Sequence, residues 1–157
     1  MENVQTQIIN YLKEENYTLA TAESCTGGLL VARLIDVPGA SYVINESYVT
    51  YSIDAKCQIL GVDKAIIDKF GVASLETSLA MAKGLKNLTG ADVCISTTGL
   101  AGGSITEKAP AICYYTIMIG EKTYSYITEI EATRNEARNS FCDTIYQTLL
   151  AIIKREV

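Results

Sequence analysis

An apolar run that ends at a hydroxyl and two glycines constrains this chain more than any other stretch. Tyr17 to Ala22 reads as a short strand, Leu29, Leu30, Arg33 and Leu34 open a helical pattern, and Ser24-Cys25-Thr26-Gly27-Gly28 lies between them. A strand that passes into a helix through so tight a turn begins an α/β unit. It also holds a hydroxyl above the first N–H groups of a helix, where an oxyanion or phosphate is favoured. The same residues suit plain local structure, since serine is a preferred N-cap and Gly-Gly permits a tight turn.

The rest of the chain alternates in the same way. A first helix spans about 3–15, with Val4, Ile8 and Leu12 on one face. The helix after the Ser24 turn runs to about Asp36, and Pro38-Gly39 marks a loop. Tyr42 to Tyr51, rich in Val, Ile, Tyr and Thr, reads as a strand. Ser52 caps a short helix that Gly61 closes, and another short helix falls near 63–69. Ser74 caps a longer one, with Leu75, Leu79, Ala82, Leu85 and Leu88 at helical spacing. Asp92 to Thr98 is a buried strand that runs into Gly99-Leu100-Ala101-Gly102-Gly103. Ala111 to Ile119 and Lys122 to Ile130 pair across a Gly120-Glu121 turn. Thr133-Arg134-Asn135-Glu136 fits a capping box, and Ala137, Phe141, Ile145, Leu149 and Ile152 stripe the last helix. The sum is one α/β domain over 1–157, a three-layer α/β/α sandwich whose sheet the final hairpin makes mixed. In the hairpin, Tyr114, Tyr115, Tyr124 and Tyr126 alternate in part, which suits either a subunit interface or a half-buried sheet face.

What the chain lacks narrows its chemistry. It has no histidine, so it holds no Ser-His-Asp triad, Cys-His dyad or His-ligated metal site. Acid–base work falls to Lys, Tyr, Asp, Glu or Cys. A net charge of −5 without a Lys/Arg cluster argues against DNA or RNA binding. No apolar run reaches the ~18 residues of a membrane span, and Met1-Glu2-Asn3-Val4 opens no basic-then-apolar signal pattern. A cytoplasmic protein is expected. Five cysteines, none in a C-x-x-C pair, suit a reducing compartment. Cys57, Cys94, Cys113 and Cys142 lie in apolar stretches and read as core residues. Cys25, at the helix start, is a rival nucleophile or redox handle.

In open α/β sheets ligands bind beyond the carboxyl ends of the strands. Three polar turns sit there: Ser24 to Gly28, Tyr51 to Lys56, and Thr97 to Gly103. A lysine deprotonates a serine only if burial or a nearby positive charge lowers its own pKa. A tyrosine between the two can relay the proton or hold the hydroxyl. Ser24, Tyr51 and Lys56 are the most economical nucleophile-and-base set available without histidine. The plainer alternative makes Tyr51 a half-buried strand aromatic and Lys56 a solvated helix residue.

Thr21-Ala22-Glu23-Ser24-Cys25-Thr26-Gly27-Gly28 resembles the signature of the CinA C-terminal domain family, whose active members are nicotinamide mononucleotide amidohydrolases. The likeness continues through Asp36-Val37-Pro38-Gly39-Ala40-Ser41, Val49-Thr50-Tyr51-Ser52-Ile53-Asp54-Ala55-Lys56, Leu60-Gly61-Val62, Ala91-Asp92, Thr98-Gly99-Leu100-Ala101-Gly102 and Glu107-Lys108. The resemblance implies hydrolysis of the nucleotide's carboxamide to nicotinate mononucleotide and ammonia, with no metal or organic cofactor. It assigns Ser24 as nucleophile and Tyr51 and Lys56 as its companions. Backbone around Thr26, Gly27 and Gly28 would hold the oxyanion, at about 3 kcal/mol per donor. Thr98, Gly99, Ala101 and Gly102 would line the substrate, and Lys108 and Arg134 would meet its phosphate. The chain resembles the stand-alone form of the domain, and family members commonly form homo-oligomers.

Two stretches depart from the family pattern. The family follows its Gly-Leu-Ala-Gly with Pro and a Gly-rich run before Glu-Lys-Pro-Val-Gly, whereas here Gly103-Ser104-Ile105-Thr106 precedes Glu107-Lys108-Ala109-Pro110-Ala111. The family's Phe-Pro-Gly-Asp-Arg is here Ile130-Glu131-Ala132-Thr133-Arg134. The alternative to an amidohydrolase is a mononucleotide-binding module of the same fold with weak or no turnover, or an amidase on another substrate.

Overall fold

The structure, a computed structural model, describes residues 2–156. Met1 and Val157, the outer bounds expected for the domain, lie outside the described residues. The elements are α1 (Val4–Glu15), β1 (Leu19–Glu23), α2 (Leu29–Ile35), β2 (Tyr48–Val49), α3 (Ile53–Leu60), α4 (Lys64–Phe70), α5 (Leu75–Thr89), β3 (Val93–Leu100), β4 (Ala109–Ile119), β5 (Lys122–Ala132) and α6 (Arg134–Glu156).

Their ends follow from local chemistry. The side chains of Asn3, Ser52, Asp63 and Ser74 each accept a backbone N–H at a helix start. Asn16, Gly61 and Gly90 turn left-handed at helix ends. At α6, Thr133 accepts from the Glu136 N–H and donates its hydroxyl to the Glu136 carboxylate, a side-chain variant of the capping box.

The strands form one sheet in the order β2-β1-β3-β4-β5. β2, β1 and β3 run parallel, β4 pairs antiparallel with β3, and β5 pairs antiparallel with β4. Alternation along the strands sends Leu19, Val93, Ile95 and Ile117 into one apolar layer and Ala20, Ala22, Cys94 and Met118 into the other. The first layer is filled by α1, α2 and α6 through Ile8, Leu30 and Phe141. The second is filled mainly by α5 through Met81 and Leu85, with Leu60 and Ile67 of the small helices. This is a mixed-sheet, three-layer α/β/α sandwich. Among the described residues no helix is long and apolar enough to cross a membrane.

The expected strand over Tyr42 to Tyr51 shrinks to Tyr48–Val49. Ala40–Tyr42 form a 3-10 turn instead, and Tyr42 is exposed. The segment still runs along the outer edge of β1, but it satisfies that edge irregularly. Leu19 N–H donates to the Val43 carbonyl at 2.8 Å, and Thr21 N–H to the Ser47 hydroxyl at 3.0 Å. A side-chain acceptor replaces a ladder carbonyl, so the pairing never becomes regular. In the hairpin, Tyr115, Tyr124 and Tyr126 pack with the α6 layer, and the Tyr115 and Tyr126 rings lie 5.6 Å apart. Tyr114, paired with the exposed Ile127, lies on the other face.

α6 clasps the start of α2 as well as covering the sheet. The buried Tyr146 hydroxyl donates to the Leu30 carbonyl, Arg33 donates to the Asn139 carbonyl at 3.2 Å, and Arg138 donates to the Thr26 carbonyl at 2.8 Å. These contacts fix the turn that carries Ser24.

Candidate active site

Ser24 follows the last residue of β1, at the carboxyl ends of the parallel strands. Its N–H is shared between the Thr97 carbonyl at 3.1 Å and the Thr97 hydroxyl at 3.2 Å. Gly27 and Gly28 have φ of 61° and 96°, so the turn needs left-handed backbone at two successive positions. A side chain on Gly27 would also crowd the Arg138 guanidinium, at 3.2 Å.

Lys56 comes to this serine from the second turn of α3. The capped start of α3 and the burial of Leu60 orient that helix. The whole Lys56 residue is inaccessible to solvent. Its Nζ donates to Ser24 Oγ at 3.0 Å, to the Thr50 carbonyl at 2.8 Å and to the Tyr51 carbonyl at 3.1 Å. Burial lowers its pKa below the ordinary 10.5, since the charged form loses its hydration. Deprotonated, the amine keeps the same contact with Ser24 and offers it a lone pair.

Tyr51 does not stand between these two groups. Its phenol is 63% exposed and makes no hydrogen bond among the described residues. What it contributes is its carbonyl, which accepts from Lys56 and, at 3.5 Å, from the Ser24 hydroxyl. Serine and lysine meet directly, so the relay expected of the tyrosine ring has no geometric counterpart. β2 ends two residues before Tyr51 and leaves its side chain at the cleft mouth.

The residue that organises the turn is Glu23, for which the sequence reading assigned no role. Its carboxylate is fully buried and accepts five hydrogen bonds. They come from the hydroxyls of Thr21 and Thr26 and from the N–H groups of Gly28, Leu30 and Val31, at 2.7–3.1 Å. Glu23 is thus the internal anion of the α2 N-terminus. Gly27 N–H donates to the Ser24 carbonyl at 3.0 Å. The Gly27 and Gly28 N–H groups expected to hold an oxyanion are therefore taken within the turn, and the Thr26 hydroxyl is committed to Glu23. An acid at the entry to the strand-to-helix turn was the available signal.

A cavity of about 430 Å³ opens beside Ser24, lined by Tyr51, Thr98, Gly99, Ala101, Gly102 and Arg134 among others. The Thr98 hydroxyl donates to the Val72 carbonyl at 2.7 Å, which leaves that residue as wall. Gly99 and Gly102 run so close to β4 that an added Cβ would fall 2.0 Å from the Ile112 and Pro110 carbonyl oxygens. A second cavity of about 350 Å³ continues past Cys25 and Tyr51 to Ile105, Arg134 and Arg138. Arg134 lines both cavities, whereas the exposed Lys108 lines neither. Arg138, one helical turn beyond Arg134, is the basic residue that sequence reading missed. Among the described residues no group of three or more Cys, Asp or Glu is placed to hold a metal.

The model of the CinA C-terminal domain matches residues 1–153. This chain belongs to the CinA C-terminal domain family. A relative in Caldanaerobacter subterraneus, named as a competence-damage inducible protein, is 42% identical over 139 residues, covering 87% of this chain and 34% of its own. A CinA-like protein of Kosmotoga olearia is 37% identical over 140 residues, 88% of this chain and 34% of its own. The chain thus spans about a third of the length of these curated relatives. A CinA superfamily protein from Enterobacter cloacae superposes with a TM-score of 0.89 at 25% identity, over 98% of this chain and 95% of that one. Membership of the family makes the matched Ser24 turn the natural place to look for function.

Proposed function

We propose that the chain is a serine amidohydrolase acting on the carboxamide of nicotinamide mononucleotide. One observation supports this above the rest: a lysine without solvent contact lies 3.0 Å from the hydroxyl at the strand-to-helix turn. Neutral Lys56 takes the Ser24 proton as Oγ attacks the amide carbon. The resulting ammonium returns that proton to the departing ammonia. A water then enters and gives a proton to Lys56 as its oxygen attacks the ester carbonyl. Lys56 returns that proton to the departing Ser24 Oγ, which releases nicotinate mononucleotide and restores the free serine and neutral amine. The Thr50 and Tyr51 carbonyls hold the ammonium in place through the cycle. The oxyanion rests on backbone other than that of Gly27 and Gly28, and the Ala101–Gly102 stretch lines the cavity where it forms. The two adjoining cavities suit a mononucleotide, with Arg134 and Arg138 beside the phosphate.

A second reading, a binding module without turnover, is favoured by the 101–108 stretch, where Ile105 is 90% exposed. Ammonia release from nicotinamide mononucleotide by the chain and its Ser24→Ala variant decides between them. Release that disappears in the variant supports the hydrolase. Binding by both without release supports the module. The homo-oligomeric state belongs to the same proposal, carried by the family resemblance.

A further inference from the structure

Cys25 follows Ser24 directly, and its sulfur lies 3.7 Å from that of Cys113 on β4. Both are free thiols packed in the α6-side core, but they differ in access. Cys25 is 9% exposed and lines both cavities, so a small solute in the cleft reaches it. Cys113 is wholly buried. They differ in acidity as well. Contact with the Cys113 sulfur lowers the Cys25 thiol, prevailing over burial and the nearby Glu23 charge. The same contact, together with burial, pushes Cys113 well above the ordinary range. Cys94 and Cys142, raised by burial to about 11 and about 12, show what core thiols otherwise become in this fold. Access and thiolate character together select the sulfur that an oxidant meets first.

We propose that Cys25 and Cys113 form a reversible redox site in which a peroxide oxidises Cys25 and Cys113 resolves it. The Cys25 sulfur attacks one oxygen of hydrogen peroxide, giving a sulfenic acid and one water. The Cys113 sulfur then attacks the sulfenic sulfur, and its proton leaves with the hydroxyl as a second water. Two thiols and one peroxide thus become one disulfide and two waters. The peroxide accepts both electrons.

The bond requires the sulfurs to close from 3.7 Å to about 2 Å. Cys113 is paired on both sides, to Gly99 of β3 and Thr128 of β5, so the ladder holds it in place. Cys25 belongs to the Ser24 turn, so closing the bond must strain the Thr97 and Arg138 contacts that hold that turn in place. Ser24 adjoins Cys25, so the same strain disturbs its 3.0 Å contact with the Lys56 amine. This control of turnover rests on the Ser24–Lys56 hydrolase proposed above; the crosslink itself does not.

The test takes the full chain, reduced and then exposed to hydrogen peroxide, with remaining thiols alkylated under denaturing conditions. Trypsin separates all five cysteines into different peptides, which makes the mapping unambiguous. The expected product is a Cys25–Cys113 linked pair of peptides, two hydrogens lighter than their sum and reversed by dithiothreitol. In Cys113→Ser the link is lost and Cys25 gains oxygen instead. Ammonia release falls about a hundredfold in the crosslinked chain and returns on reduction, as expected for a displaced nucleophile. A link between other cysteines, or no link, overturns the site. A link that leaves the rate unchanged overturns its control of turnover. If the reduced chain releases no ammonia, the hydrolase fails, and the peptide map still decides the redox site.

Discussion

On one wall of the cleft the Ser24 turn is held from every side. Glu23 takes five donors beneath it, Thr97 holds the Ser24 N–H, and Arg138 holds the Thr26 carbonyl. On the opposite wall the 101–108 stretch is held mostly by itself. The Ser104 hydroxyl accepts from the Thr106 and Glu107 N–H groups, and the Ser104 carbonyl accepts from the Arg134 N–H at 3.0 Å. Ile105 projects into solvent. The first wall is preorganised, as bond-making chemistry requires. The second has few constraints beyond one link to α6, which suits recognition. Changes to the first wall should lower kcat or stability, and changes to the second should raise KM.

The largest effect should come from Lys56→Met, which keeps the buried volume and removes the amine. Ammonia release should fall about 10³-fold, within the range general acid–base groups supply. Thermal unfolding of the variant checks that the fold survives. Retained activity would mean that Lys56 only fills space, and the contrast between the walls would lose its chemical meaning.

Glu23→Ala comes next. It leaves three N–H groups and two hydroxyls without their acceptor in a buried turn. A loss of about 3 kcal/mol follows, which for a chain of this size lowers Tm by about 10 °C. Glu23→Gln retains one oxygen and should cost less. Calorimetry of both variants reads the difference, and equal Tm values would show that the turn is not held by this carboxylate.

How far these roles were legible in the sequence depends on the kind of information each needs. The βα turn and the sheet layers follow from periodicity and glycine, which are local. Ser24 and Lys56 stand out as candidates because the missing histidine leaves few bases to choose from, and it is the family resemblance that assigns them. Glu23 escaped because its five donors are spread over β1, the turn and α2, and only the folded backbone brings them to one carboxylate. The Tyr51 ring was misplaced for the opposite reason: the reading assumed a regular strand from 42 to 51, and β1 takes a serine hydroxyl where that strand's ladder would have been.

A smaller and graded effect concerns pH. Burial depresses Lys56, so at neutral pH a larger share of it is the free amine than for an exposed lysine. The activity of the chain should therefore rise with pH and level off below pH 10.5, the ordinary lysine value. Stability carries the same sign. Between the depressed folded pKa and the unfolded 10.5 the unfolded chain binds more protons, so stability rises with pH through that window. Below the folded pKa the burial penalty is fully present. The Tm difference between wild type and Lys56→Met should therefore shrink as pH climbs through the window. A difference independent of pH would mean that Lys56 is not desolvated as the fold implies.

The smallest effects separate the two cations assigned to the recognition wall. Arg134 lines both cavities, and Lys108 lines neither. A charge-assisted contact to phosphate is worth about 1.5–3 kcal/mol, so Arg134→Ala should raise KM for the mononucleotide at least ~10-fold. Because the phosphate is remote from the amide, this interaction is the same in ground and transition states and kcat should hold. Lys108→Ala should leave both parameters within about twofold, as an exposed charge outside the site does. A KM rise for Lys108→Ala equal to that for Arg134→Ala would require the 101–108 stretch to fold over the bound phosphate, and the second wall would then be a closing element rather than an open one.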